Sequence, residues 1–357
     1  MKKHNYSAGP CILPASVMEQ AANAVKELDG SGLSLIEISH RSKAFVNIME
    51  EARSLVKELL SLPSGYEVLF LQGGASLGFL TAAYNFNREG TTAGYMSTGT
   101  WSKKAIKEAK TLTDVKVIAS SEKNGFNYIP DYPGADTETI HITTNNTIFG
   151  TQYKSFPKVD NNQMLIADMS SDIFSQEIDV SAFDLIYAGA QKNMGPAGTV
   201  MYIVNTDKLG KTGRSIPSYL DLSIHLEKDS MFNTPPVFSI YTSMLTLRWL
   251  KELGGIAAMQ KQNIAKANLL YSEIDRNPLF TGHARADSRS NMNATFKLTD
   301  DTAQETFDRM WNDAGINGLK GHRSVGGYRA SMYNALPLES VQVLVDVMKE
   351  LEISQGQ

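Results

Sequence analysis

Apolar positions recur at helical spacing near the start of the chain. Val17, Met18, Ala21, Val25 and Leu28 form one such series over residues 15–28, which Gly30 ends. A second series over 42–60 contains Phe45, Ile48, Met49, Ala52, Leu55, Val56 and Leu59. Short apolar runs then follow at 67–71, 93–96, 115–119, 140–143, 164–167, 184–188 and 200–204. Many of them are apolar throughout rather than alternating. That pattern predicts strands buried on both faces of a parallel or mixed sheet. With helical stretches between them, they predict βαβ units and a helix-covered α/β sheet.

The pattern changes near residue 236. Residues 239–275 read as two long helices broken at Gly254-Gly255. Strands at 294–298 and 328–332 then alternate with helices at 302–314 and 338–352, which predicts a smaller α+β unit. The chain has 357 residues, 42% of them hydrophobic and 20% charged, enough for a sizeable core and about two domains.

Net charge is −4, which disfavours a protein that holds nucleic acid by neutralising phosphates. The one cysteine, Cys11, can form neither an internal disulfide nor a cysteine-based zinc cluster, and no metal is expected. No apolar leader follows Lys2 and Lys3, and no run approaches a membrane span. These features lead us to expect a soluble cytoplasmic protein.

Three segments could carry chemistry. Gln72-Gly73-Gly74-Ala75-Ser76 lies between a buried strand and a helix. Paired glycines and a helix N-terminus can cradle a phosphate, although a tight strand-to-helix turn needs no ligand. Asp168 follows the strand at 164–167, where α/β sheets bind ligands and where turn or cap aspartates also occur. Lys192 follows the strand at 184–188, among small residues that read as room kept for something bulky. A desolvated lysine has a depressed pKa and can form a Schiff base with an aldehyde. Pyridoxal 5′-phosphate (PLP) needs a lysine, an acid for its ring nitrogen and a phosphate cradle. Trp101, at a strand-to-helix turn after Ser97-Thr98-Gly99-Thr100, could stack on its ring or simply fill the core.

At this point the chain resembles the phosphoserine aminotransferase family, class V aminotransferases of the aspartate-aminotransferase-like PLP fold type I. The resemblance runs from Tyr6-Ser7-Ala8-Gly9-Pro10 through Glu37-Ile38-Ser39-His40-Arg41-Ser42, the glycine loop, Gly99-Thr100-Trp101-Ser102 and Asn145-Asn146-Thr147-Ile148. It continues through Asp168-Met169-Ser170-Ser171, Gly189-Ala190-Gln191-Lys192-Asn193 and Met231-Phe232-Asn233-Thr234-Pro235-Pro236. It ends at Gly321-His322-Arg323-Ser324-Val325-Gly326-Gly327-Tyr328-Arg329-Ala330-Ser331. The lysine segment and this last segment are the most specific.

The resemblance implies that Lys192 binds the PLP aldehyde and later shuttles a proton, that Asp168 pairs with the ring nitrogen, and that Trp101 stacks on the ring. It implies that Ala75, Ser76 and Gln191 bind the cofactor phosphate and that Thr151 lies near the phenolic oxygen. Asn233 and Thr234 would reach the phosphate from a partner subunit of a homodimer. The implied substrates are L-glutamate and 3-phosphohydroxypyruvate, or 4-phosphohydroxy-L-threonine in pyridoxine synthesis. Arg329 would clamp the α-carboxylate, and His40, Arg41, His322 and Arg323 would form a distal anion site. Ser76 stands in the region where some relatives carry an arginine, and Gly78 and Phe149 also differ from some relatives. Together with the pattern change, the resemblance implies an N-terminal arm at 1–15, a large domain at 16–257 and a small domain at 258–357.

An alanine–glyoxylate type enzyme would not need the distal cations. A cysteine desulfurase would need a mobile cysteine, and Cys11 sits in the arm beside Pro10. A non-catalytic phosphate-binding module would need neither Lys192 nor Asp168.

Overall fold

The computed structural model describes residues 3–355. In chain order its first elements are β1 (His4–Asn5), α1 (Ala15–Lys26), α2 (Lys43–Leu59), β2 (Tyr66–Gly73), α3 (Ala75–Phe86), β3 (Thr92–Ser97), α4 (Thr100–Ala109) and β4 (Asp114–Ser120). Next come β5 (Thr139–Thr143), β6 (Asn145–Asn146), β7 (Thr151–Gln152), β8 (Met164–Asp168), β9 (Leu185–Gly189), β10 (Gly198–Asn205), α5 (Leu222–Glu227), α6 (Val237–Glu252) and α7 (Gly255–Arg276). The chain closes with β11 (Phe280–Gly282), β12 (Asn293–Leu298), α8 (Gln304–Asp313), β13 (Ile316–Asn317), β14 (Tyr328–Ser331) and α9 (Leu338–Gln355).

Seven strands form the main sheet in the order β2-β10-β9-β8-β5-β3-β4. β10 runs antiparallel to both neighbours, and the other pairings are parallel. The fold is thus α/β with a mixed, mainly parallel sheet, as the apolar runs predict. Alternate residues of one strand supply two different cores. Val68 and Phe70 face α1, α2 and α6, while Leu69 and Leu71 face α3 and α4. The same division separates Ala167 from Ile166 and Ile186 from Leu185. Two apolar faces per strand are why these segments show no alternation. β4 is an edge strand and keeps several exposed positions.

A third core gathers residues from Ala267 to Leu351 with Tyr6. It packs α7, α8 and α9 on the antiparallel sheet β11-β12-β14. The long helical stretch breaks where expected, because Gly254 and Gly255 both adopt positive φ, 104° and 74°. β1 pairs in parallel with β13, which ties the N-terminal stretch to the C-terminal part. No helix among the described residues is long and apolar enough to cross a membrane.

Candidate active site

The parallel strands end together, and their C-terminal ends deliver the site. β3 ends at Ser97 before Gly99 and α4, β5 at Thr143, β8 at Asp168 and β9 at Gly189. They meet the N-terminus of α3 around a cavity of about 350 Å³. Gly74, Ala75, Ser76, Trp101, Asp168 and Lys192 line it, together with Thr143, Asn145, Ser170, Ser171 and Gln191. This is the position at which an α/β sheet offers both free helix N–H groups and side chains from several strands.

Lys192 lies in the turn after β9 and is 9% exposed. Its Nζ donates to Thr147 Oγ1 at 3.0 Å and stands 5.6 Å from the centre of the Trp101 ring. Burial lowers its pKa to about 8, opposed by the charge of Asp168 and assisted by that of Arg329. The turn is held from several sides. Asn193 Nδ2 donates to Ile173 O at 3.1 Å, and Asn193 Oδ1 accepts from Asn334 N at 3.0 Å. The small residues nearby do not keep space for a ring. A Cβ on Gly195 would stand 2.5 Å from Ser243 Oγ, and one on Gly189 would stand 2.6 Å from Gln191 Oε1. They allow close packing of the lysine turn, so the reading of vacant room is corrected.

Asp168 is buried, and its Oδ1 accepts from Ser170 N at 2.9 Å. Desolvation raises its pKa, while the bonds from Ser170 and the charge of Lys192 pull the other way. A cation brought beside it would pull that pKa down again. Asp172, one helical turn on, is also buried. It accepts from Thr144 Oγ1 at 2.5 Å and Gln152 Nε2 at 3.2 Å, and burial raises its pKa to about 7.

Trp101 is the second residue of α4 and one wall of the cavity, with its Nε1 buried and unpartnered. Lys104, one turn later, lies over the other reach of that ring with Nζ 4.4 Å from its centre. Sequence reasoning missed Lys104, although its i+3 spacing from Trp101 was a readable signal. His322 has its pKa lowered by partial burial and then by the charges of Arg329, Arg323 and Lys104. Arg329, Arg323 and Lys104 therefore lie near enough to His322 to disfavour its charge. Arg329 lies on β14, and its buried Nε has no hydrogen-bond partner.

The remaining expected residues lie elsewhere. Thr151 starts β7 and bridges to Arg289, with its buried hydroxyl unpartnered, and it does not line the cavity. Thr147, four residues earlier, is the threonine at the lysine amine. His40 and Arg41 stand in the turn before α2, and Asn233 and Thr234 in the loop before α6. None of these four lines the cavity, and neither do His322, Arg323 or Arg329.

The donor set fits PLP. A buried amine, a buried acid, an indole wall and a glycine-led helix N-terminus surround one cavity, and Trp101 Nε1 lacks any protein partner. Residues 4–344 match the family model for class-V aminotransferases, and the chain belongs to that family. Within it the chain is 64% identical to the phosphoserine aminotransferase of Flavobacterium psychrophilum, over 99% of both sequences. The structure of the Bacillus circulans subsp. alkalophilus phosphoserine aminotransferase superposes with a TM-score of 0.96 at 41% identity, covering 99% of each chain. A PLP-bound phosphoserine aminotransferase from Trichomonas vaginalis gives 0.91 at 36% identity, covering 98% of this chain and 100% of that one. This chain is a PLP-dependent aminotransferase.

Proposed function

We propose that the chain transfers the amino group of L-glutamate to 3-phosphohydroxypyruvate, giving 2-oxoglutarate and O-phospho-L-serine. The observation that carries this reading is the buried Lys192 sharing a cavity with Asp168, with Arg329 acting on that lysine and on His322, where Arg323 and Lys104 also act. PLP, when bound, supplies an aldehyde that captures amines and a ring that accepts the electrons left at the substrate Cα. The chain's own residues do the rest. Asp168 holds a proton and positive charge on the ring nitrogen. Trp101, a wall of the cavity, would stack on the ring and exclude water there. Ala75, Ser76 and Gln191 offer donors to the cofactor phosphate at the start of α3. Thr147 accepts from the lysine amine and holds it in place. Lys192 Nζ, neutral in a far larger fraction near pH 7 than an ordinary lysine, would take the proton from the substrate Cα and return it elsewhere.

Every substrate carries at least two anionic groups. Arg329 takes the α-carboxylate through its free guanidinium edge. His322 and Arg323, with Lys104, take the phosphate or γ-carboxylate. His40, Arg41, Asn233 and Thr234 remain outside the cavity of their own chain, which supports a homodimer whose partner supplies them. The same reading places the protein in the cytoplasm and divides the chain into an arm at 1–15, a large domain at 16–257 and a small domain at 258–357.

A coupled assay with 3-phosphohydroxypyruvate and L-glutamate tests the reaction, and absence of turnover with a cofactor-loaded sample would overturn it. Arg41→Ala should lower kcat/KM for L-glutamate and phosphorylated substrates by about 10–100-fold and for L-alanine much less, as expected for a lost guanidinium–anion contact. Equal losses across all donors would remove Arg41 from the anion site.

A further inference from the structure

We propose that residues Ala8–Cys11 form a strap that positions the catalytic lysine, and that the buried hydroxyl of Tyr333 latches it. The proposal rests on the reaction assigned above and adds a positioning residue to it.

The strap packs against the lysine turn. Gly9 lies against the lysine stem, and a Cβ there would stand 3.5 Å from Lys192 Cγ. Its φ of +142° is one that side-chain-bearing residues rarely adopt. Cys11 N donates to Gln191 O at 3.1 Å, and Cys11 Sγ donates to Lys192 O. Two successive carbonyls of the lysine turn are therefore held by one residue of the N-terminal stretch.

Tyr333 joins this strap to the rest of the site. It is fully buried and lies just past β14, the strand that carries Arg329. Its hydroxyl donates to Ala8 O at 2.9 Å and accepts from Asn293 Nδ2 at 3.3 Å. The hydroxyl of Thr147 also lies beside it, and Thr147 is the residue that accepts from Lys192 Nζ at 3.0 Å. One phenol thus reaches the lysine by two routes, through Ala8 next to Gly9 at the stem and through Thr147 at the amine. Burial keeps the phenol protonated, so it remains a donor to Ala8. Asn293 extends the contact to Asn145 at 2.8 Å and to Ser331 at 3.0 Å, within the cavity wall and the Arg329 strand respectively.

The arrangement has a mechanical consequence. Lys192 must hold the cofactor and then move a proton at the substrate Cα, so a small displacement of its stem affects the chemical step more than substrate binding. Removing the latch should loosen the strap while leaving the substrate cations in place.

The test is Tyr333→Phe in the cofactor-loaded protein. We expect kcat to fall about 10-fold while KM for L-glutamate changes by less than about twofold, the signature of a group acting on the chemical step. The pH midpoint of the cofactor's absorbance change should move by about half a unit or more, because the amine loses its fixed surroundings. Peptides spanning residues 8–12 should exchange amide hydrogen faster. Leu351→Ala, buried in the C-terminal core, serves as a generally destabilised control and should leave the midpoint unchanged. An unchanged kcat and midpoint in Tyr333→Phe, or an equal midpoint shift in Leu351→Ala, would overturn the proposal. A wild-type protein without cofactor absorbance after loading would instead overturn the functional reading beneath it.

Discussion

At the scale of single residues, the chemistry of the site follows from burial. Lys192 has its pKa lowered from 10.5 to about 8 by desolvation. At pH 7 about one such lysine in ten is neutral, against about one in three thousand for an ordinary lysine. Uptake of PLP by the apoprotein should therefore accelerate with pH up to about 8 and then level off, as stopped-flow absorbance would show. A rate that climbs steadily to pH 10 would contradict the desolvated amine. Lys192, Asp168 and Trp101 were legible because strand ends, small residues and a helix start each leave a mark in the sequence. The threonine was not. The β6–β7 hairpin reverses the chain between Asn146 and Thr151, with Gly150 at φ +70°. That reversal accompanies the placement of Thr147 at the lysine amine, which spacing alone does not reveal. The convergence of Lys104 with His322 was likewise hidden, because it depends on contact between segments more than 200 residues apart.

At the scale of elements, the strands and long helices match the apolar patterning to within a few residues. Strands of two or three residues escaped it, since β1 and β13 owe their pairing to tertiary contact across the length of the chain and have no periodicity of their own. The element with the tightest functional demand is α3, whose first residues line the cavity and are proposed to hold the cofactor phosphate. Gly78 lies inside it, and a Cβ there would stand 2.7 Å from Tyr187 Cδ2. Tyr187 has no room to yield. It is fully buried, its hydroxyl bonds His141 Nε2 at 2.8 Å, and Phe79 meets its ring at a 6.0 Å centroid distance. Gly78→Ala gains about 1 kcal/mol of helix propensity. Overpacking costs about 1–3 kcal/mol, so the loss should win and the melting temperature should fall. Because α3 can relieve the clash only by moving away from β9, PLP affinity measured by absorbance titration should weaken as well. A stabilised Gly78→Ala with unchanged affinity would show that the helix does not hold its position through this contact.

At the scale of the whole molecule, the two large cores meet across a polar seam, and one lysine lies inside it. Lys266 on α7 is 1% exposed, and its Nζ donates to Met332 O at 3.0 Å and Tyr333 O at 2.9 Å. Burial lowers its pKa from 10.5 to about 7. The other titratable group acting on it is Cys11, whose thiol is itself pushed up to about 12 by burial and so stays neutral. Between pH 7 and 10 the unfolded chain binds a proton at this position that the folded chain does not. Stability from this group therefore rises with pH in that window, by about 1.4 kcal/mol per unit, and is flat below it. Lys266→Met removes the titration and leaves two carbonyls without their donor, so it should be destabilising in a pH-dependent way. Other groups, Lys192 and Asp172 included, are common to both proteins and cancel in the difference. Urea unfolding of the apoprotein should give a wild-type advantage over Lys266→Met that is larger at pH 9 than at pH 6.5 by about 2–3 kcal/mol. A difference independent of pH would mean that Lys266 remains charged inside the seam, held by carbonyl dipoles strong enough to offset its desolvation. The seam between the two cores would then be built around a cation and not around a neutral amine.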